Sequence, residues 1–144
     1  MCSPLMILID TNVFSELMKP APDDAVVDWL FAHRNETLLS TLVVAEIDFG
    51  VRTTRGPDKR KMLRGWLDRL IEQHQGRTVD FDLAAARRWA EMSAAVLIAD
   101  LRAGSRPFDT LIAVQALALD VPLATRNFRH FETTAVRIID PWQA

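Results

Sequence analysis

The sequence lacks several features that would indicate particular classes of protein. Cys2 is its only cysteine, so no disulfide can form within the chain, and we expect a reducing, cytoplasmic environment. Tyrosine is absent, and the four tryptophans and seven phenylalanines do not form an interleaved base-stacking pattern. The apolar run near the N-terminus is too short for a signal sequence or a membrane span. We therefore expect no disulfide framework and no membrane partner.

The low net charge and the absence of common catalytic motifs argue against further classes of protein. The net charge is only −2, so global charge does not indicate a nucleic-acid-binding protein, although a local basic patch can still bind one. The histidines at 33, 74 and 130 lack metal-ligand spacing, and neither a glycine-rich phosphate loop nor a G-x-S-x-G element occurs. Zinc chemistry, nucleotide-dependent transfer and catalysis by a serine nucleophile are therefore not supported.

The length and the pattern of apolar residues define the expected fold. A chain of 144 residues with 49% hydrophobic residues suits a single domain, 1–144, with residues 1–5 as a flexible extension. Short β-rich runs alternate with longer stretches of helical period, which predicts an α/β protein with a central, mainly parallel sheet of five strands between two helical layers. The predicted strands are 6–10, 37–40, 78–81, 122–125 and 136–139. A first helix is predicted to start near residue 12, and the further predicted helices are 23–34, 43–53, 57–75, 83 to about Gly104, and 107–117.

Three acidic residues lie beside apolar residues at element boundaries: Asp10, Glu46 and Asp109. Asp10 falls at the carboxyl end of the first predicted strand, where open parallel sheets collect their ligands. Glu46 lies about one turn into the helix after the second strand and is able to lean over the same edge. Carboxylates gathered at one place repel each other unless a cation holds them, and Mg²⁺ or Mn²⁺ prefers oxygen ligands. Such a site suits phosphodiester hydrolysis.

Each of these acids also has a purely structural interpretation. Asp10 is a suitable N-cap for the helix that starts near Asn12. Glu46 alone is an ordinary helix residue, and Asp109 alone is an acid favoured in a first turn by the helix dipole. Only the combination of the three favours a metal site.

Four stretches of the sequence then point to a family: MILIDTNVFSEL, STLVVAEIDFGV, PFDTLIAVQALALDVPLATRNF and VRIIDPW. In this order and spacing, over nearly the whole chain, they resemble the motifs of the PIN-domain family, specifically the VapC-type toxins of bacterial type II toxin–antitoxin systems. The resemblance implies a three-layer α/β/α fold and Mg²⁺- or Mn²⁺-dependent endoribonuclease activity. It also implies that Asp10, Glu46 and Asp109 are the catalytic residues and hold the metal, directly or through water.

The same resemblance assigns supporting roles and contains one departure. Thr11 and Asn12 follow the first acid and would shape the site or, alternatively, cap the first helix. Thr125 would bond the scissile phosphate or a metal-bound water or, alternatively, simply end a strand. Family members usually carry a further Asp where this sequence has Asn127 or His130. Asn127 offers a neutral oxygen to a hard metal, so we expect any second metal to bind weakly.

Basic residues give two further expectations about RNA binding. Arg126 is a candidate phosphate contact, and its alternative is an exposed, solvated arginine. Residues 52–69 contain seven basic residues against two acidic ones, with Arg52 and Arg55 as candidate RNA contacts. The alternative interpretation of this segment is the solvated face of a helix whose other face carries Trp66.

The resemblance also implies partners. A VapC-type toxin has a VapB-type antitoxin, whose C-terminal segment packs near the early helices, and we expect a homodimer. Trp29 and Trp66, which are core or interface residues by their helical spacing, are candidates for that groove. Two competing functions remain open. One is a PIN-fold module that binds RNA or protein and is catalytically weakened by the missing acid. The other is a metal-dependent DNA nuclease or phosphatase.

Overall fold

The computed structural model describes residues 5–100, 107–127 and 135–144 of the chain. Within these ranges five short strands alternate with six helices. The strands are β1 (Ile7–Ile9), β2 (Thr37–Ser40), β3 (Thr78–Val79), β4 (Leu123–Ala124) and β5 (Ile138–Ile139). The helices are α1 (Thr11–Glu16), α2 (Asp24–Ala32), α3 (Thr41–Thr53), α4 (Pro57–Gln73), α5 (Leu83–Asp100) and α6 (Pro107–Leu119).

The strands form one parallel sheet in the order β3-β2-β1-β4-β5. The central strand β1 pairs with β2 through Ile7 and Thr37 and with β4 through Leu8 and Leu123. The chain adds β2 and β3 on one side of β1 and then returns to add β4 and β5 on the other. A crevice forms at the carboxyl ends of the strands where the order reverses in this way. The residues that follow β1 and β4 therefore lie at the crevice.

The predicted α/β class is confirmed, and the structure corrects the bounds of several elements. Only the strand at 37–40 has its predicted bounds; the other four are shorter than predicted. Helix α3 begins at Thr41 rather than residue 43, since Ser40 supplies its cap. The predicted helix end at Gly104, residues 1–4 of the expected extension and His130 lie outside the described residues.

Helix starts follow local chemistry that the sequence contains. Side-chain oxygens at the N-caps accept backbone N–H groups that would otherwise lack a partner. Gly56 has φ +96°, a conformation that favours glycine, and Pro57 then occupies the first position of α4. The side-chain caps are Asp10 to Thr11 N (2.8 Å), Asp23 to Ala25 N (2.9 Å), Ser40 to Leu42 N (3.1 Å) and Asp82 to Ala85 N (2.9 Å).

The core lies between the sheet and the helices that cover it. All three residues of β1 are buried, because parallel strands are covered on both faces. Trp29 belongs to this core and is 8% exposed, whereas Trp66 is partly buried against it and Trp89 is 40% exposed. None of the described helices combines the length and the apolar character that crossing a membrane requires.

Candidate active site

Asp10 lies directly after the central strand, at the carboxyl edge of the sheet. Its backbone N–H donates to Ala124 O at 2.9 Å, which fixes it to β4 as well as β1. The side chain is 3% exposed. Its Oδ1 accepts the Thr11 N–H at 2.8 Å, so Asp10 is the predicted N-cap of α1. The cap uses one carboxylate oxygen, and the cap interpretation is compatible with a site role for the other.

The second oxygen, Oδ2, is bonded by residues from both neighbouring segments. The buried Thr125 hydroxyl donates to it at 2.7 Å, and Asn12 Nδ2 donates at 3.3 Å. Asn12 Nδ2 also lies 3.2 Å from Thr125 Oγ1, and Asn12 Oδ1 accepts the Arg126 N–H at 3.3 Å. These donors are neutral groups that stabilise an ionised carboxylate. Thr125 and Asn12 thus hold the Asp10 carboxylate in one orientation.

Glu46 is connected to Asp10 through a single residue. The Thr11 hydroxyl donates to Glu46 Oε1 at 3.0 Å, while the Thr11 backbone N–H donates to Asp10. Because Glu46 lies on α3 and Thr11 on α1, this bond joins the two helices that follow β2 and β1. The structure therefore brings the first two predicted acids to the same edge of the sheet.

Asp109, the third predicted acid, lies half-buried in the first turn of α6. Helix α6 packs against α3, which carries Glu46. A buried contact fixes the position of α6: Ser40 Oγ, at the end of β2, donates to Gln115 Oε1 at 2.5 Å. Gln115 Nε2 in turn donates to Val79 O at 3.4 Å. Helix α6 is therefore tied to the carboxyl ends of β2 and β3.

The donor chemistry of this edge fits a hard divalent cation. Asp10 and Glu46 offer carboxylate oxygens, which Mg²⁺ and Mn²⁺ prefer. Across the described ranges, no three His, Cys, Asp or Glu side chains come together as a complete metal-ligand group. A site for Mg²⁺ needs only one or two carboxylates with waters and substrate oxygens, so Asp10 and Glu46 meet that requirement.

The remaining predicted site residues occupy different positions. Asn127 donates its backbone N–H to Thr125 Oγ1 at 3.1 Å, which places it beside the Asp10 network. Arg126 is exposed next to it. Arg52 is also exposed but bonds Asp48 on the same helix at 3.1 Å, and Arg55 lies between α3 and α4.

Two residues at this edge were not selected from the sequence. Glu16, on α1, is 5% exposed and pairs with Lys19 at 2.7 Å. The hydrogen bond from Lys19 lowers the pKa of Glu16 below 4.5; burial opposes this, and the Asp23 N–H and the charges of Lys19 and Arg126 add to it. Trp142, after β5, lies 4.9 Å from the Arg126 guanidinium carbon. The sequence does contain one signal that could have led to the selection of Glu16, because it is an acidic residue within the apolar pattern of α1.

A second polar network lies at the opposite, amino edge of the sheet. Thr37, at the start of β2, accepts from Arg77 Nη1 at 3.0 Å and lies 2.8 Å from His74 Nε2. His74 Nδ1 lies 2.8 Å from Leu70 O, so Nδ1 carries the proton and Nε2 accepts the Thr37 hydroxyl. Burial lowers the pKa of His74 below 6.5, the Leu70 carbonyl opposes this and the Arg77 charge adds to it. These residues border a cleft of about 380 Å³ between α1, α2 and α4.

The comparisons with known proteins agree with this architecture. The PIN domain family matches residues 7–136, so the chain belongs to the PIN domain family. A VapC ribonuclease of Sinorhizobium fredii is 37% identical over 140 residues, which cover 96% of this chain and 99% of that protein. Toxin FitB of Neisseria gonorrhoeae is 31% identical over 139 residues, which cover 95% of this chain and 99% of that protein.

A solved structure gives the same result for the fold. The crystal structure of FitAcB from Neisseria gonorrhoeae superimposes with a TM-score of 0.87 at 30% identity, covering 96% of this chain and 100% of that chain. The predicted family and the predicted three-layer fold are both confirmed.

Proposed function

We propose that this protein is a Mg²⁺- or Mn²⁺-dependent endoribonuclease that acts as the toxin of a type II toxin–antitoxin pair. The observation that carries the proposal is the Asp10 carboxylate, fixed at the crevice between β1 and β4 by Thr125 and Asn12 and linked through Thr11 to Glu46. Membership of the PIN domain family and full-length similarity to a VapC ribonuclease and to a toxin support it.

Asp10, Glu46 and Asp109 would hold the metal ion, with Asn127 as a weak additional oxygen ligand. When bound, Mg²⁺ or Mn²⁺ supplies an activated water and charge stabilisation at the phosphorus. The rest of the chemistry belongs to the side chains of the chain. Thr125 and Asn12 donate to Asp10 Oδ2 and keep that oxygen aimed in one direction. Thr11 does the same for Glu46 Oε1.

Substrate binding is the second part of the proposed mechanism. An acidic centre repels an RNA phosphate, so cations at its rim must offset that repulsion. Arg126 adjoins the Asp10 network and is the cation that the geometry favours for this role. Arg52 and Arg55, with the basic start of α4, would contact RNA farther along the strand.

The proposed partners follow from the same family membership. A VapB-type antitoxin would hold the toxin inactive, and the cleft between α1, α2 and α4 suits its C-terminal segment because Phe14, Leu17, Leu30 and Leu70 form an apolar part of its lining. Trp29 is in the core and neither it nor Trp66 borders the described part of that cleft, so the two tryptophans are not used in this proposal. Phe49 and Met62, on the neighbouring helices α3 and α4, are exposed apolar residues that support a homodimer. We place the complex in the cytoplasm.

The deciding experiment is cleavage of a mixed pool of structured RNA by antitoxin-free protein. We expect cutting with Mg²⁺ or Mn²⁺, none with a chelator, and a loss of about a thousandfold or more in Asp10→Asn, because a neutral amide replaces a metal-binding carboxylate. A parallel reaction with single-stranded DNA distinguishes an RNA-specific enzyme from a nuclease of broader specificity.

The matched control is Asp120→Asn, which makes the same chemical change on an exposed residue. Asp120 has φ +54°, a conformation that asparagine tolerates, so the variant should fold and cut normally. Equal activity of Asp10→Asn and Asp120→Asn would contradict the assignment of Asp10. Absence of cutting by folded wild-type protein under every metal condition would contradict the nuclease proposal.

A second candidate function rests on Asn127. This residue stands where family members usually have an acid, and its N–H bonds Thr125 within the Asp10 network. The alternative is therefore a PIN-fold module that binds RNA or protein with weakened catalysis. Asn127→Asp separates the two: a large gain in Mn²⁺ affinity and cleavage would support the weakened module, and unchanged values would support catalysis by three carboxylates.

A further inference from the structure

The backbone of Arg126 is fixed relative to the Asp10 carboxylate. The Arg126 N–H donates to Asn12 Oδ1 at 3.3 Å, and the amide nitrogen of the same Asn12 side chain donates to Asp10 Oδ2. Thr125, the preceding residue, donates directly to that oxygen. Two independent connections therefore set where the Arg126 side chain leaves the main chain, immediately beside the crevice.

The Arg126 guanidinium is oriented by a residue from the end of the chain. Its central carbon lies 4.9 Å from the centre of the Trp142 ring, within the range of a cation–π contact. Trp142 is itself held in place. Its backbone N–H donates to Asp140 Oδ1 at 3.0 Å, in the turn that follows β5, and its ring is partly buried against the core.

The chemistry of this pair suits one kind of ligand. Within the described part of the chain, no salt bridge forms with the Arg126 guanidinium: Glu16, whose pKa the Arg126 charge helps to lower, pairs with Lys19 instead. A guanidinium with one face on an indole still presents its N–H edge, which matches the oxygens of a phosphate. Position, charge and donors thus favour a nucleic-acid phosphate rather than a neutral group.

We propose that Arg126 binds a phosphate next to the scissile one and that Trp142 is the positioning residue that holds its guanidinium in place. This inference rests on the proposed ribonuclease function. It adds a residue from the C-terminal turn to the substrate-binding surface. That surface would contact the phosphate backbone of the RNA rather than its bases.

RNA binding in the absence of cleavage tests the proposal. A labelled single-stranded RNA of mixed sequence is titrated with protein in a chelator at several salt concentrations. Arg126→Ala should weaken binding about tenfold and reduce the slope of log K against log salt by about 0.7, because one phosphate contact is lost. In cleavage, KM should rise by a similar factor while kcat stays within about twofold, since a flanking phosphate is bound equally before and during the reaction.

Variants of the tryptophan test the positioning role. Trp142→Leu keeps the Arg126 charge but removes its support, so we expect a smaller loss of affinity and an unchanged salt slope. Trp142→Phe keeps an aromatic face and should restore binding. In the Arg126→Ala background Trp142→Leu should cause no additional loss, because the two residues act as one unit. A full additional loss there would overturn the positioning role.

Arg137→Ala is the matched control. Arg137 is also exposed, but it lies at the amino end of β5, where its guanidinium donates to Asp120 O at 3.1 Å. The Arg137→Ala substitution therefore removes the same charge at the other edge of the sheet. Identical binding and salt slopes for Arg126→Ala and Arg137→Ala would overturn the proposal. If wild-type protein cuts RNA in that case, the ribonuclease function still stands; if it neither binds nor cuts, the proposed function itself has failed.

Discussion

The two edges of the sheet each contain a buried threonine in a hydrogen-bond network, but the networks differ in chemistry. At the amino edge, Thr37 joins Arg77 to a neutral His74 that also donates to a main-chain carbonyl. At the carboxyl edge, Thr125 instead donates to the carboxylate of Asp10. The first network connects a strand to the helix before the next strand, and the second connects two strands at the switch point of the sheet.

This difference separates stability from catalysis. In the Thr37 network each donor faces an acceptor within the protein, which is the arrangement expected of a structural contact. The Thr125 network instead directs hydrogen-bond donors at a carboxylate, at a place where parallel sheets bind ligands. We therefore expect substitutions at the amino edge to change the free energy of unfolding and those at the carboxyl edge to change activity.

Among the substitutions that compare the two edges, the largest effect should come from Glu46→Gln. We expect cleavage to fall about a hundredfold to a thousandfold, because one carboxylate of the metal-binding set becomes neutral. The free energy of unfolding should change little, since the amide oxygen still accepts the Thr11 hydroxyl. Asp48→Asn on the same helix is the control for both measurements. A stability loss that explains the whole activity loss would break the division between the edges.

At the opposite edge, His74→Leu should lower the free energy of unfolding by about 2–3 kcal/mol, as it removes two buried hydrogen bonds. Denaturant unfolding gives this value. Activity per folded molecule should equal that of wild type. A variant that is stable but inactive would show that the amino edge takes part in catalysis.

The two threonines allow the two edges to be compared with the same substitution. Thr125→Val should reduce cleavage about tenfold to a hundredfold by releasing the Asp10 carboxylate. Thr37→Val should leave cleavage unchanged and cost about 1–2 kcal/mol of stability, because His74 Nε2 loses its donor. Measuring both properties in both variants sharpens the comparison, and similar profiles for the two would contradict it.

The smallest effect is a pH dependence at the amino edge. The folded chain keeps His74 neutral because burial lowers its pKa below the ordinary value of 6.5. As the pH falls through 6.5, the unfolded chain takes up a proton that the folded chain resists, so the free energy of unfolding decreases; above 6.5 the contribution is fully present. The stability of His74→Leu should fall less over this range. Parallel curves for the two proteins would be contrary to this expectation.

The sequence predicted most of the fold because its signals are local. Caps such as Asp82 and the pair Gly56-Pro57 mark helix starts through contacts within a few residues. Several strand ends were placed too far out: Asp10 and Thr125 still donate their backbone N–H groups to the neighbouring strands, but the chain leaves the sheet directly after them. Motif order identified the family, which the match over residues 7–136 confirmed.

The candidate site was only partly predictable. Asp10 and Glu46 were selected and do lie at one edge, but their connection through the Thr11 hydroxyl is a tertiary contact. The buried pair of Ser40 and Gln115, which fixes α6, gave no sequence signal because polar residues are usually exposed. Trp142 belongs to the quoted stretch VRIIDPW but was not selected as a site residue, and its role follows only from its position over Arg126.

Local sequence is sufficient to set the alternation of strands and helices, the helix starts, and the presence of acids at the ends of apolar segments. Each of these depends on the periodicity of burial or on hydrogen bonds between near neighbours. Tertiary structure alone decided that β4 pairs with β1, and therefore that Thr125 meets Asp10 from 115 positions away. Strand order depends on how the whole chain buries its apolar faces, and no local pattern encodes that choice.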